Sequence, residues 1–394
     1  MTEQMTQIAL TGNEAVALAL KQINPDVAAV YPITPQTELM HAFAAYVADG
    51  EVDTELVTVE SEHSAMSATI GAAAAGARAI TATSSQGLAL MWEMLYIAAS
   101  YRLPIVAPVV NRALSGPINI HCDHSDTMGA RDSGWIQIFS EDSQEAYDNT
   151  IMAFRIAEHK DILTPAMVTL DGFIISHTLE ALNVLDAAAV KKFVGEYQPA
   201  YNLLDTDHPF TVGPLHLPDF YFETKRAQNE AMDRVIPVVL SVAEEYARLS
   251  GRTYGLFENY RLDDADAAIV VLGSAAGTAK VAVDRLRQQG KKVGLMKLRL
   301  FRPFPGDEIA AALAKIPSVA VLDRSISFGL KGGPVFNEVR SACYGKNTRL
   351  ASYIYGLGGR DVTVEHIESV FSDLMKANET GKVASTYNYL GVRE

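Results

Sequence analysis

The feature that most constrains the fold is an alternation of short apolar runs with amphipathic helical segments. Parallel β-strands are joined by helices, so this alternation predicts the α/β class. In the first half of the chain, strands are predicted at 27–31, 56–59, 79–82, 104–110 and 166–170. Helices are predicted at 11–23, 37–48 and 87–99, with a further helix of small residues that ends near residue 75. Thr11 or Asn13 is expected to cap the first helix.

The second half of the chain repeats the same pattern after an irregular stretch. Periodicity weakens between 172 and 262, where several prolines occur, and a helix is predicted at 226–249. Further strands are predicted at 267–272, 293–298, 319–322 and 351–355. A chain of 394 residues is too long for one core. We therefore predict two parallel-sheet domains, at 1–250 and 251–394, with a polar tail after Ala377 that wraps a neighbouring subunit.

Composition excludes several classes of function. The net charge of −14, from 33 basic and 47 acidic residues, argues against nucleic acid or an anionic membrane as the main partner. The first ten residues lack a signal-peptide pattern, and no run of about 18 apolar residues predicts a membrane span. Cys122 and Cys343 are the only cysteines, too few for a disulfide framework or for an iron–sulfur cluster held by this chain alone. A reducing cytoplasm is the expected location.

Polar side chains follow four of the predicted strands, where open parallel sheets bind ligands. Thr34 lies in a stiff turn between two prolines, and Glu60 and Glu62 follow the next strand. The segment 83–87 offers hydroxyl and amide groups, and Arg112, directly after a buried strand, suits a carboxylate anion. Ordinary helix capping, or an acid stabilised by the helix dipole, would also explain the first three. The residues alone leave both interpretations open.

A second polar segment resembles a metal site. Two histidines, a cysteine and two aspartates lie within 121–126 and could ligate Zn²⁺ or Fe²⁺. However, the adjacent Asp123 and His124 are expected to point apart, and no distant ligand set is evident. We therefore predict a polar active-site or interface loop, and no metal on this chain. Phosphate motifs are also missing, since 273–278 lacks the lysine of a P-loop and no Gly-Asp-Gly run could hold a metal–diphosphate.

Six short strings, taken in order, carry a family resemblance over essentially the whole chain. They are Tyr31-Pro-Ile-Thr-Pro35, Ser61-Glu-His-Ser-Ala65, Thr83-Ser-Ser-Gln-Gly87, Asn111-Arg-Ala-Leu-Ser115, Asp171-Gly-Phe and Leu298-Arg-Leu-Phe-Arg-Pro-Phe304. Each string is weak by itself, but the six in this order are specific. Together they resemble the alpha subunits of pyruvate:ferredoxin oxidoreductases.

The resemblance implies a shared cofactor site. The N-terminal domain would bind the aminopyrimidine of thiamine diphosphate, and the C-terminal domain would be transketolase C-terminal-like. A beta subunit would hold the diphosphate and Mg²⁺, while gamma and ferredoxin-like delta subunits complete the complex, with [4Fe–4S] clusters in partner chains. Pyruvate would be oxidatively decarboxylated to acetyl-CoA and CO₂, with coenzyme A as acyl acceptor and ferredoxin as electron acceptor. These partners would explain the missing diphosphate motif and the scarcity of cysteines.

The resemblance also implies roles for particular residues. Glu62, with Glu60 as the alternative, would hydrogen-bond the pyrimidine N1′. Thr34 and Arg112 would bind the substrate carboxylate and ketone oxygen. Further contacts to the cofactor would come from Pro32, Ser85 and Gln86. The alternatives are a subunit for another 2-oxoacid, a subunit of a lipoamide-linked 2-oxoacid dehydrogenase, and a non-catalytic scaffold.

Overall fold

Two mainly parallel sheets form the framework of the computed structural model, which describes residues 5–393. The strands are β1 (Thr6–Thr11), β2 (Val27–Val30), β3 (Glu55–Thr58), β4 (Ala79–Ile80), β5 (Val106–Asn111), β6 (Ile136–Phe139), β7 (Ala166–Asp171), β8 (Leu179–Val184), β9 (Phe257–Tyr260), β10 (Ala267–Leu272), β11 (Val293–Leu298), β12 (Leu300–Arg302), β13 (Ser318–Asp323), β14 (Arg349–Ile354) and β15 (Tyr387–Tyr389). The first four residues of the N-terminal segment, where no signal peptide is expected, lie outside the described residues.

Helices cover both sheets. They are α1 (Gly12–Ile23), α2 (Thr37–Ala48), α3 (Glu62–Ala74), α4 (Ser85–Leu90), α5 (Trp92–Ser100), α6 (Ser125–Gly129), α7 (Ser143–Ala157), α8 (Ala187–Val194), α9 (Pro218–Asp233), α10 (Val235–Ser250), α11 (Ala275–Gln288), α12 (Gly306–Leu313), α13 (Pro334–Ala342) and α14 (Val364–Thr380). A single 3₁₀ turn covers Leu357–Gly359. None of the helices within residues 5–393 is both long and apolar enough to cross a bilayer.

The seven-stranded sheet has the order β12-β6-β7-β5-β4-β2-β3. Its strands are parallel except β12, which pairs antiparallel with β6. One face packs on α1, α2, α7 and α10, and the other packs on α3, α4 and α5. Because both faces are covered, strands such as β5 and β7 are buried at every residue and appear in the sequence as unbroken apolar runs.

The six-stranded sheet has the order β15-β14-β13-β10-β11-β9, with β9 antiparallel to β11. Helices α11 and α14 cover one face, and α12 and α13 cover the other. A separate antiparallel pair joins β1 to β8. The halves are tied together, since β12 pairs with β6 of the seven-stranded sheet. We propose the domain boundary at 250/251, because α10 ends at Ser250 and β9 begins the second sheet.

Most of the predicted strands and helices are present. The predicted Thr11 cap is confirmed, and its hydroxyl accepts a hydrogen bond from the Glu14 backbone N–H. The predicted helix 87–99 is two helices, α4 and α5, with a break at Met91. Within the described chain, Tyr387–Tyr389 of the tail pairs with β14, and contact of the tail with a neighbouring subunit stays a prediction. Strands β1, β6 and β8 and helices α7 and α8 were not predicted from the sequence.

Helix α7 shows why the sequence pattern failed in places. Nearly all of its residues are buried, including polar residues such as Asp148 and Asn149, so its polar positions do not mark a solvent-exposed face. Its fully buried Asp148 accepts hydrogen bonds from Tyr246, Arg252 and Tyr254 at 2.5–2.8 Å. A buried carboxylate of this kind is stable only when such partners are present. These contacts, all made by residues about 100 positions away, fix the helix beneath the seven-stranded sheet.

Candidate active site

The predicted site residues lie together at the carboxyl edge of the seven-stranded sheet. Thr34 follows β2 and Glu62 follows β3, while Ser85 follows β4 and Arg112 follows β5 directly. Strands β3, β2, β4 and β5 are consecutive neighbours in that sheet, so their ends form one continuous edge. This is the edge at which open α/β sheets bind ligands.

Glu62 is a buried carboxylate without a partner. It is the first residue of α3, where the Ser61 hydroxyl caps the helix by accepting from the Ser64 N–H. Its exposed fraction is 8%, and no residue within 5–393 hydrogen-bonds or ion-pairs with its carboxylate. Glu60 differs, because it is exposed and accepts a hydrogen bond from the Ser64 hydroxyl, which lowers the pKa of Glu60. The free carboxylate at this edge is therefore that of Glu62.

Gly87 allows this carboxylate to lie close against the backbone of α4. A Cβ at Gly87 would lie 2.8 Å from Glu62 Oε1 and 2.3 Å from Thr83 Oγ1, so no larger residue fits there without displacement. Thr83 Oγ1, Ser84 Oγ and Gln86 Nε2 are buried and have no hydrogen-bond partner in the described chain. Unpaired buried polar atoms cost about 1–3 kcal/mol each, so such a cluster indicates a polar ligand. A flat heterocycle with ring nitrogens and an amino group, as in an aminopyrimidine, fits these residues.

Ser85 and Pro32, unlike Gln86, have no unpaired polar atom in the side chain. The Ser85 N–H donates to Asp126 at 3.1 Å, and its hydroxyl lies 2.6 Å from the Ala113 carbonyl oxygen. Its φ of 44° is uncommon for a residue other than glycine and is held by these contacts. The chain itself thus occupies the polar groups of Ser85, which orders the loop. Pro32 is exposed at the end of β2 and has no N–H to donate.

Arg112 and Thr34 are in contact, although β4 lies between the two strands that they follow. Arg112 Nη1 donates to the Thr34 carbonyl oxygen at 3.0 Å, and Arg112 Nε donates to the Asn119 carbonyl oxygen at 3.2 Å. The arginine is only 7% exposed, and no carboxylate within residues 5–393 pairs with it. The Thr34 residue is itself exposed. A nearly buried guanidinium without an anionic partner is suited to binding a carboxylate.

Asp126 links two strand ends of this site, a role that the sequence did not reveal. Its carboxylate accepts from the backbone N–H groups of Ser85 and Arg112 at 3.1 and 3.0 Å, and from the Asn111 side chain at 2.9 Å. It therefore joins the ends of β4 and β5. Burial raises the pKa of Asp126 to about 6, against the opposing effect of these N–H donors. In the sequence, Asp126 stood out only as one of the polar residues of the metal-like segment 121–126.

The metal-like segment is held together by an arginine. Ligand atoms of Cys122, His124 and Asp171 lie within 4.8 Å of one another. However, Arg324 Nη1 lies 2.8 Å from Asp171 Oδ2 and 3.6 Å from Cys122 Sγ, so a guanidinium already supplies the positive charge. Burial opposes ionisation of Asp171, but His124 and Arg324 hold its pKa below the ordinary value. Asp123 bonds to Ser125 instead, so the adjacent Asp123 and His124 do point apart.

Comparison with known proteins shows the family of this chain. Residues 18–244 match the family model described as pyruvate flavodoxin/ferredoxin oxidoreductase, thiamine diphosphate-binding. Residues 265–367 match the pyruvate:ferredoxin oxidoreductase core domain II. Among solved structures, 2-oxoglutarate:ferredoxin oxidoreductase from Magnetococcus marinus superposes with a TM-score of 0.73 at 22% identity, over 95% of this chain and 66% of that chain. The latter likeness concerns the fold alone.

Curated relatives match over the full length. Pyruvate synthase subunit PorA of Thermotoga maritima is 57% identical over 100% of both chains. The same subunit of Methanocaldococcus jannaschii is 50% identical over 94% of this chain and 95% of the relative. Ketoisovalerate oxidoreductase subunit VorA of Pyrococcus abyssi is 44% identical over 95% of each.

The family models and the full-length relatives therefore define a subunit of a thiamine-diphosphate-binding 2-oxoacid oxidoreductase. Within that class, the chain belongs to the pyruvate:ferredoxin oxidoreductase family, as an alpha subunit. The resemblance carried by the six sequence strings and the two-sheet α/β class are both confirmed.

Proposed function

We propose that this chain supplies the pyrimidine-binding and substrate-binding half of a pyruvate:ferredoxin oxidoreductase active site. The observation that carries the proposal is that two charged groups lie at one sheet edge, each without an oppositely charged partner in the described chain. The Glu62 carboxylate is buried beside Gly87, and the Arg112 guanidinium is nearly buried beside Thr34. The reaction is the oxidative decarboxylation of pyruvate to acetyl-CoA and CO₂, with electrons passed to ferredoxin.

Each residue of this half-site has a physical task. Thiamine diphosphate, when bound, supplies the carbon nucleophile and the electron sink for decarboxylation of a 2-oxoacid. The Glu62 carboxyl would hydrogen-bond a pyrimidine ring nitrogen and move a proton there, and its burial keeps water from competing. Gly87 allows Glu62 and Thr83 to lie close to the backbone there, while Thr83 and Gln86 would provide hydrogen-bonding groups for the ring.

Residues that follow β2 and β5 would orient the substrate. Arg112 would bind the pyruvate carboxylate through charge-assisted hydrogen bonds, which are roughly twice as strong as neutral ones. Thr34 would donate its hydroxyl to the carboxylate or the ketone oxygen, which fixes the reacting carbon. The hydrogen bond from Arg112 to the Thr34 carbonyl oxygen holds the guanidinium next to the Thr34 turn.

Partner subunits would complete the site. We assign the diphosphate and Mg²⁺ to a beta subunit, because this sequence lacks a Gly-Asp-Gly run. The [4Fe–4S] clusters would lie in partner chains, including a ferredoxin-like delta subunit beside a gamma subunit, since Cys122 and Cys343 are both buried and far apart in sequence. The complex would use coenzyme A and ferredoxin in the cytoplasm.

Substrate choice provides the test of this function. The VorA relatives show that the family also includes a 2-oxoacid oxidoreductase named for ketoisovalerate. Pyruvate is favoured here by the PorA relatives.

We expect the reconstituted complex to reduce a viologen dye with a higher kcat/KM for pyruvate than for 2-oxoglutarate or 2-ketoisovalerate. The assay would supply coenzyme A and compare the three acids at matched concentrations. A higher kcat/KM for either larger acid would overturn the pyruvate assignment. Lipoamide-dependent reduction of NAD would indicate the dehydrogenase alternative, and a complex that binds no thiamine diphosphate would indicate the scaffold alternative.

A further inference from the structure

A glycine-rich turn of the second half of the chain lies directly on the loop beside Arg112. This turn, residues 356–359, follows β14 and makes three hydrogen bonds to residues 119–123. Asn119 Nδ2 donates to the Gly358 carbonyl oxygen at 3.0 Å. The Gly358 N–H donates to Asp123 Oδ2 at 3.3 Å, and the Gly359 N–H donates to the Cys122 carbonyl oxygen at 2.6 Å. These hydrogen bonds therefore hold the 356–359 turn of the second half against the 119–123 loop of the first half.

Only glycine fits two positions of this turn. Gly358 and Gly359 have φ of 59° and 80°, in the left-handed region that disfavours other residues. A Cβ at Gly358 would lie 2.3 Å from Asn119 Nδ2, and a Cβ at Gly359 would lie 2.4 Å from His121 Cβ. Both approaches are shorter than real Cβ contacts, so a larger residue must displace the Asn119 side chain at position 358 or the His121 side chain at position 359.

The same loop holds the arginine. Asn119 accepts from Arg112 Nε through its carbonyl oxygen at 3.2 Å, and the His121 carbonyl oxygen accepts from the Ala113 N–H at 3.0 Å. On its other side, Arg112 Nη1 donates to the Thr34 carbonyl oxygen at 3.0 Å. The guanidinium thus lies between the Thr34 turn and the 119–123 loop, and a movement of either changes its direction.

The loop is anchored at its far end as well. The His124 N–H donates to the Arg324 carbonyl oxygen at 2.8 Å, and Arg324 Nη1 donates to Asp171 at 2.8 Å. The second half of the chain therefore contacts the loop at both ends, at 356–359 and at Arg324.

We infer that Gly358 is a positioning residue, and that the 356–359 turn sets the direction of the Arg112 guanidinium through Asn119. This inference rests on the proposed role of Arg112 in binding the 2-oxoacid carboxylate. It gives the second half of the chain a part in substrate recognition, although it contributes no group to the substrate itself.

The test compares Gly358→Ala with Gly381→Ala in the reconstituted complex. Gly381 also has a positive φ, 77°, but nothing lies within 4 Å of its Cβ position, so this control isolates backbone strain from displacement of the loop. A misplacement of about 1 Å can cost roughly 10²-fold in rate. We expect Gly358→Ala to lower kcat/KM for pyruvate by about 10- to 100-fold, mainly through KM, with unchanged activation by thiamine diphosphate.

Asn119→Ala provides an independent test that adds no atom to the turn. We expect it to lower kcat/KM for pyruvate, and we expect the double variant to be no worse than Asn119→Ala, because the clashing amide is gone. Amide hydrogen exchange in residues 119–123 should be faster in Gly358→Ala than in Gly381→Ala.

Three results would overturn the inference: a Gly358→Ala complex that behaves like Gly381→Ala, a normal kcat/KM in Asn119→Ala, or additive losses in the double variant. A wild-type complex that oxidises no pyruvate would instead remove the proposed function, so the two failures are distinguishable.

Discussion

Replacing Glu62 with glutamine is expected to lower kcat of the assembled complex by roughly 10²- to 10⁴-fold, the usual contribution of a positioned acid–base group. The amide has the same size and fills the same space beside Gly87, but it cannot exchange a proton with a ring nitrogen. Since the Glu62 carboxylate has no partner within the described chain, no ion pair is lost and assembly should be unchanged. Viologen reduction with pyruvate measures the rate, and size-exclusion chromatography checks the assembly.

Glu60→Gln is the matched control for this experiment. It changes the same functional group two residues away, but Glu60 is exposed and bonded to the Ser64 hydroxyl. We expect near-normal turnover. Normal rates in Glu62→Gln together with slow turnover in Glu60→Gln would show that the wrong carboxylate has been assigned.

Replacing Arg112 with alanine is expected to lower kcat/KM for pyruvate by roughly 10- to 150-fold. The estimate follows from the loss of one charged hydrogen bond, worth about 1.5–3 kcal/mol. KM should rise as well, because the carboxylate is bound before the reaction starts. Arg112→Lys should recover part of the loss, since it restores the charge without the planar fork of donors.

Arg248→Ala is the control for a change of one charge. Arg248 lies on α10 with its side chain 70% exposed and pairs only with the neighbouring Glu244. Its removal should leave pyruvate kinetics unaltered. An Arg112→Ala complex with the same kcat/KM as the wild type would exclude Arg112 from the substrate site.

The sequence predicted the parts of the fold that follow a simple period. Helix 37–48 was predicted with the bounds it has, because its apolar residues lie on one face and Asp49-Gly50 ends it. Helix α7 could not be predicted in this way, because it is buried on all sides and its Asp148 is stabilised by distant tyrosines and an arginine. Strand β12 lies near the β11 signal in sequence but joins the other sheet.

For the proposed site, the strand ends predicted that the candidate side chains lie at one edge of the sheet, where the structure has them, and the family resemblance favoured Glu62 over Glu60. What the sequence could not show were contacts between separate segments. Asp126 connects the ends of β4 and β5, but the sequence indicated only that it belongs to a polar loop at 121–126. Gly87 is required because a Cβ would meet Glu62, and Gly358 is required because a Cβ would meet Asn119. Such requirements depend on distances between segments that are far apart in sequence. In the sequence itself, these positions look like any other glycine.

The central claim is that this chain forms half of a thiamine diphosphate site and needs a partner subunit to complete it. Calorimetric titration of the purified chain with thiamine diphosphate and Mg²⁺, beside the same titration of the reconstituted complex, tests this most directly. Because the chain lacks a metal–diphosphate motif, we predict weak binding and no activity for the chain alone, and tight binding for the complex. Micromolar affinity in the chain without its partners would contradict the claim.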